Sequence, residues 1–405
     1  LYPVVPALEV NIADIGRYFT EKPFSAIGWT PVIISPFAVG IGFLIPVDLL
    51  FSCWFFYLFR KAQMVLTGMG GYSVVRGAPF FLEQRTGAWI GLCVIALWMG
   101  RMHLKEVMNK VLGRKSKLDD SGEPMSYRAA IVGIIGGVIF LTLFLVRAGM
   151  SLWIPPFWLL IYFLLNMGIT RARAELGPPC HYVAYIHPER VITQILGTRA
   201  FNPESLTVAY YLDWLGRGYR STPMPHVLEA FRIGTVTKMN NKRLLYALLI
   251  AVFAGTLASF WAFSDFSYKY TAFGLEGVGQ AGNAANRLQS CMTYPQRPEY
   301  VAVSFIGIGF MFTLFLTLMR TRFLWWPFHP VGYAMAEHLT MDWLWAPFFI
   351  SWVVKVALLK YKGIKAYREG VPFFMGLILG DYTIRSIWSI ISLIIGTNIT
   401  VLEMY

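Results

Sequence analysis

The stretch Met375–Gly396, MGLILGDYTIRSIWSIISLIIG, reads as a membrane-spanning segment that carries two charges near its middle. At a rise of about 1.5 Å per residue, a helix needs roughly 20 apolar residues to cross a hydrocarbon core of roughly 30 Å, and this stretch has that length. Asp381 and Arg385 sit where ionised groups are most costly, at roughly 2.5–3.5 kcal/mol each on insertion scales. Four apart, they share one helix face and can offset each other as an intrahelical pair, an arrangement that serves packing alone. The alternative is that they face a cavity and carry a proton, an ion or a substrate, as ionisable groups inside membranes usually do. Gly376 and Gly380, just ahead of Asp381, form a GxxxG at which another helix can come close. On the second reading, Asp381 faces a polar cavity in the bundle, not lipid and not only Arg385.

The rest of the chain has the same character. Of its 405 residues, 56% are hydrophobic, 16% aromatic and 14% charged, whereas soluble domains use about 45–50% apolar residues. The reading is an all-α polytopic membrane protein, a single integral membrane domain over residues 1–405 with about eight transmembrane helices, some broken or re-entrant. Spans are expected at Pro31–Phe59, Ala88–Met99, Ala129–Val146, Trp153–Ile169, Leu244–Phe263, Val301–Met319, Phe323–Leu359 and Pro372–Ile395. The first is interrupted by Pro36, Gly40, Gly42 and Pro46 and contains Asp48. Such an interruption frees backbone groups that lipid cannot satisfy, so a broken helix beside a polar cavity is expected there. Gln63–Phe81 reads as a short re-entrant or interfacial element. Phe323–Leu359, punctuated by Pro327, Pro330 and Pro347, reads as a re-entrant piece plus a span.

The net charge of +13 comes from Lys and Arg gathered just beyond the apolar runs, as at Arg101–Lys117, Arg171–Arg173 and Lys360–Arg368. That pattern marks cytoplasmic loops, not a nucleic-acid surface. Residues 101–128 are therefore expected to be a cytoplasmic basic loop, 175–243 a cytoplasmic or re-entrant excursion of short helices, and 264–300 an extracytoplasmic loop. Four scattered cysteines without CxxC spacing give neither a disulfide framework nor a zinc knuckle. The chain starts at Leu1, and residues 1–30 lack the order of a signal peptide. A processed chain and the trailing portion of a longer one are both left open.

No nucleophile–base set, paired carboxylates or phosphate loop falls on a common face, so neither an enzyme nor an ATP-driven pump is expected. GVGQAG, Gly277–Gly282, matches a dinucleotide fingerprint only formally, because no βαβ unit surrounds it. His329, Glu337 and His338 do not match a zinc pattern, and no cofactor or metal is expected. Asn398-Ile399-Thr400 matches a glycosylation acceptor, a pattern too common to decide the source. Trp325 and Trp326 beside Arg322 read as an interfacial belt.

Three motifs carry a resemblance. ITRARAELGPP (169–179), HPVGYAMA (329–336) and PFFMGLILGDYTIRSIWSII (372–391) together resemble the oligopeptide transporter superfamily, in particular prokaryotic relatives without a defined role. The likeness spreads over Pro31–Gly396. Members of that superfamily commonly have about sixteen crossings, twice the number expected here, which suits a reduced relative or a trailing portion. The resemblance implies that Glu175, His329 and Asp381 lie close to a transport path.

The function expected is a proton- or cation-coupled secondary transporter for small peptides or related organic solutes, in a prokaryotic cytoplasmic membrane. Asp381 is the candidate coupling residue and Arg385 its partner or a contact for a substrate carboxylate. Tyr333 and Tyr382 shape the pocket, and Asp48 belongs to the same path. The alternative is a structural subunit of a larger membrane assembly. Partners are then the bilayer, the solute with its coupling ion, and further copies or subunits.

Overall fold

The computed structural model describes residues 13–75, 77–177, 185–219, 222–270, 276–337 and 339–395. Apart from one short antiparallel pair, β1 (Ala13–Asp14) with β2 (Pro31–Val32), the regular structure is helical. In chain order the helices are α1 (Pro36–Leu44), α2 (Val47–Met69), α3 (Phe81–Met99), α4 (Arg101–Val111), α5 (Tyr127–Arg147), α6 (Ile154–Leu176), α7 (Pro188–Leu196) and α8 (Pro203–Tyr211). There follow α9 (Asp213–Arg217), α10 (Pro223–Val236), α11 (Asn241–Tyr270), α12 (Glu276–Thr293), α13 (Tyr300–Arg322), α14 (Pro330–Met335), α15 (Leu339–Tyr361) and α16 (Gly363–Ile395).

Six of these, α2, α5, α6, α11, α13 and α15, are long and apolar enough to cross a membrane. A seventh crossing results if α3 and α4, bent by 63° at Gly100, count as one broken span. This is the architecture of an integral membrane protein, with six to seven such helices among the described residues where about eight were expected. The closing segment is not among the six: it forms the later part of the 33-residue α16, whose interior holds Pro372 as well as the Asp381–Arg385 pair. Two loops are also more helical than expected. Residues 101–111 of the basic segment are helix α4, and the 264–300 region holds the end of α11 and all of α12. Gly277–Gly282 lies inside α12, so it forms no phosphate loop. The Gln63–Phe81 element dissolves into the last turns of α2 and a short 3-10 turn at Tyr72–Val74.

The chain divides into two compact units. The first comprises Leu1–Leu92, Ala172–Ala184 and Ser304–Tyr405. In it the interrupted first span is broken as the prolines require. Ser35 caps α1 by accepting the Ala38 amide, Pro36 takes the first turn where no amide hydrogen bond is lost, and Pro46 separates α1 from α2. Lys355 of α15, itself 5% exposed, donates to the carbonyls of Phe43 and Ile45 at 2.9 and 2.7 Å. The backbone acceptors freed by the break are thereby satisfied from a neighbouring helix. Phe43 stacks on Phe374 of α16 with ring centroids 3.7 Å apart, and Val39 completes that cluster. α3 and α13 meet at Gly87 and Gly309, where a Cβ on either would overlap the other helix's backbone.

The second unit comprises Cys93–Arg171 and Tyr185–Val303. Leu145, Met150, Ile154, Trp158, Leu159, Ile192 and Ala209 form its core. The prolines of the 175–243 region have a local role here, since Pro188, Pro203 and Pro223 each occupy the first turn of α7, α8 and α10.

Candidate functional site

Within the first unit, α2, α3 and the turn after α14 line a small, partly open cleft. Its walls combine Phe56, Phe59 and Phe81 with the polar groups Arg60, Gln84, Arg85, Tyr333 and Glu337. Each helix delivers its polar groups at adjacent or near-adjacent positions: Arg60 with Gln63 on α2, Gln84 with Arg85 on α3. The short α14 exists because Pro327 and Pro330 interrupt the apolar run after α13. His329 caps α14 by accepting the Val331 amide at Nδ1, 3.2 Å away.

Arg85, 4% exposed, reaches Glu337 Oε2 at 2.5 Å and the Glu337 carbonyl at 3.2 Å. Arg60 reaches Asp342 at 3.6 Å and the Ala336 carbonyl at 3.4 Å, with its guanidinium above the rings of Tyr57 and Phe81. Lys61 donates to the carbonyls of Trp29 and Ile27 and lies 3.9 Å from Asp342. Tyr333 donates its hydroxyl to Gln84 Oε1 at 3.1 Å, and Gln84 Nε2 donates to the Pro79 carbonyl at 2.8 Å. The cleft lining therefore holds two guanidinium groups and one carboxylate, while Asp342, which pairs with Arg60, is not part of it. Such a surface favours an anionic group, and Arg in particular suits a carboxylate, which it can grip in bidentate fashion.

His329 and Glu175, both implied by the resemblance, are brought together: His329 Nε2 lies 3.2 Å from Glu175 Oε2. Because Nδ1 accepts the Val331 amide, the ring proton sits on Nε2 and points at the carboxylate. The His329 amide in turn donates to Ser52 Oγ at 2.6 Å, which ties α14 to α2. Tyr333, on the same short helix, lines the cleft directly.

The remaining expected residues lie elsewhere in the first unit. Asp381 and Arg385 form the intrahelical pair, at 3.0 Å, and neither lines the cleft. Tyr382 sets its ring edge-on to Phe37, 4.9 Å away, and is exposed. Asp48 sits in the first turn of α2 and pairs with Arg320 at 2.7 Å, with both partners partly exposed. At Gly376 and Gly380, where close packing was expected, nothing among the described residues of this chain lies within 4 Å of a Cβ. The close approach to α16 runs instead through Gly40 of α1, where a Cβ would stand 2.6 Å from both Ile378 Cγ1 and the Phe374 carbonyl. The smallness required is on the partner helix. Of the metal candidates weighed in the sequence, His329 is joined to Glu175 and Glu337 to Arg85, while His338 lies outside the described residues, as do Pro178, Pro179, Cys180 and the Asn398 acceptor.

Arg60, Lys61, Arg85 and Asp342 were not singled out in the sequence. Arg60–Lys61 and Arg85 stand near the margins of apolar runs, yet α2 continues nine residues past Arg60 and α3 begins four before Arg85. The missed signal was an ionisable group flanked by helix-forming apolar residues on both sides.

Fold and site together define a helical integral membrane protein with a charged cleft built at broken helices. The chain matches the family of unknown function DUF6785 over residues 1–403 and belongs to it. No curated protein and no solved structure matches it.

Proposed function

We propose that this chain is a proton- or cation-coupled secondary transporter for small organic solutes that carry a carboxylate, oligopeptides among them, in a prokaryotic cytoplasmic membrane. The observation that carries the reading is the cleft at the broken segments, where Arg60, Arg85, Gln84, Tyr333 and Glu337 converge among aromatic side chains. Ionisable groups inside a membrane bundle are costly and mark substrate or ion paths, and interrupted helices are how carriers build a polar site without a soluble domain. Arg60 and Arg85 are the carboxylate contacts in this reading, and the adjacent His329–Glu175 pair is the proton-exchanging group. The three motifs that resemble the oligopeptide transporter superfamily support it. Asp381, held by Arg385, is assigned a supporting place on α16.

The test is uptake into proteoliposomes of a panel of di- and tripeptides and free carboxylates, with and without an imposed proton gradient. Gradient-dependent uptake that Arg85→Gln reduces tenfold or more is expected. Uptake of no panel member by folded protein, or uptake unchanged in Arg85→Gln, sinks the reading.

One observation favours a second reading, a structural subunit of a larger assembly. In the second unit, the most apolar parts of α5 and α11 are 6% and 0% buried within the chain. Lipid covers such faces in a carrier, and partner subunits cover them in an assembly. Mild-detergent extraction separates the two, since a monodisperse chain of its own mass opposes the subunit reading.

A further inference from the structure

In the second unit, apart from the cleft and independent of the transporter reading, three side chains with metal-ligand chemistry converge. His187 precedes α7 as its cap residue, Glu189 lies in the first turn of α7, and Asp213 opens α9. His187 Nδ1 is 3.4 Å from Glu189 Oε1 and 3.2 Å from Asp213 Oδ1, and one ligand atom of each residue lies within 4.8 Å of the others. The side chains of His187 and Glu189 are 3% and 2% exposed. Arg287 of α12 pairs with the Asp213 carboxylate at Oδ1, the same oxygen that faces His187.

Two readings compete. In the plain one, the residues form a buried ion cluster in which a proton is shared between imidazole and carboxylates. That reading leaves Glu189 Oε2 buried with no hydrogen-bond partner, which is an expensive state for a carboxylate oxygen. A cation placed here gives that oxygen a partner and removes the cost.

The distances favour that cation. Around tetrahedral zinc, with bonds of about 2.0–2.1 Å, neighbouring ligand atoms stand about 3.3 Å apart, and the two separations at His187 Nδ1 bracket this value. Arg287, paired at that same Oδ1, holds the Asp213 carboxylate in place beside the ion. One imidazole and two carboxylates suit a first-row divalent ion, with zinc favoured over manganese or iron by the usual affinity order. Three protein ligands leave a fourth position open, as in sites that bind a water or a substrate atom.

We propose that His187, Glu189 and Asp213 bind one divalent transition-metal ion, zinc by preference, with one coordination position left open. The site joins α7 to α9 within the second unit.

The test uses the purified full chain in detergent, stripped with a chelator and titrated with Co2+ as a visible probe. The expected result is one equivalent of Co2+ with the intense bands of a low-coordinate nitrogen–oxygen site, displaced by Zn2+. Glu189→Gln and His187→Gln each lower the affinity tenfold or more, while a His103→Gln/His226→Gln double variant keeps it. X-ray absorption of the zinc-loaded wild type, which does not depend on any variant folding, is expected to read one imidazole nitrogen and two carboxylate oxygens. Binding of less than one equivalent, an undiminished affinity in Glu189→Gln, or a sulfur-containing shell each overturns the assignment.

Discussion

Arg85 holds both ends of one residue: its guanidinium lies 2.5 Å from the Glu337 carboxylate and 3.2 Å from the Glu337 carbonyl. A single buried cation on α3 therefore fixes the side chain and the main chain of the turn after α14. Arg60 on α2 does the same for the preceding residue, through the Ala336 carbonyl. The cleft is thus shaped by the charges that line it, and a ligand that competes for Arg85 also loosens the turn.

Removing only one partner of this pair leaves a buried charge uncompensated. Glu337→Leu is expected to destabilise the chain by about 3 kcal/mol, at the lower end for buried pairs because the Glu337 side chain is 28% exposed. Arg85→Met with Glu337→Leu is expected to recover more than half of that loss, since no lone charge remains. Denaturation of all four members of the cycle in detergent measures the coupling. A coupling indistinguishable from zero would show that the two groups are solvated independently.

The α1–α2 break rests on Lys355. Its ammonium donates to the Phe43 and Ile45 carbonyls, and Lys355→Met leaves both without that donor. At about 1–3 kcal/mol for each orphaned buried acceptor, a loss of about 2–4 kcal/mol is expected. Lys355→Arg keeps the charge but presents a planar fork where a compact ammonium sits, so its stability should fall between. Thermal unfolding that ranks Arg at or below Met would mean that the charge, not the donor geometry, is irrelevant to the break.

His329 combines two roles that substitution can separate. As the cap of α14 it accepts the Val331 amide, and through Nε2 it meets Glu175. Asn is a favoured cap residue but too short to reach the carboxylate, so His329→Asn should keep most of the cap's stability. His329→Ala should lose about 1 kcal/mol more than Asn. Equal stabilities for the two variants would assign the side chain's contribution to Glu175 instead. Under the transporter reading, Asn and Ala are equally deficient in proton-driven uptake.

Much of the fold was legible because it is set by length and hydrophobicity: the paired crossings α5 and α6, the long α11 and α13, and the break forced by Pro46 all follow from apolar runs and prolines. Of the residues named from the sequence, Tyr333 lines the cleft, and His329 and Glu175, which the resemblance implied, form a pair. What escaped was tertiary. Arg85 and Lys61 resemble ordinary flanking charges until neighbouring helices bury them, and His187, Glu189 and Asp213 are brought together only by the arrangement of α7 and α9. Asp381 drew attention by its cost in a membrane, and its local partner Arg385 offsets part of that cost.

The GxxxG ahead of Asp381 gives the sharpest contrast between a sequence pattern and the packing it was expected to serve. At Gly376 and Gly380 a methyl group meets nothing within 4 Å among the described residues, whereas at Gly40 it meets Ile378 and the Phe374 carbonyl at 2.6 Å. Gly376→Ala and Gly380→Ala are therefore expected to be neutral or to stabilise α16 by up to about 1 kcal/mol, the helix-propensity difference between Gly and Ala. Gly40→Ala should destabilise by about 1–3 kcal/mol, because the carbonyl it strikes belongs to a helix backbone that cannot give way as a side-chain tip can. Thermal unfolding of the three variants in detergent decides the matter. If Gly376→Ala or Gly380→Ala proves as damaging as Gly40→Ala, then a second copy or another subunit packs on that face of α16. Crosslinking from cysteines placed at Leu379 would then identify it.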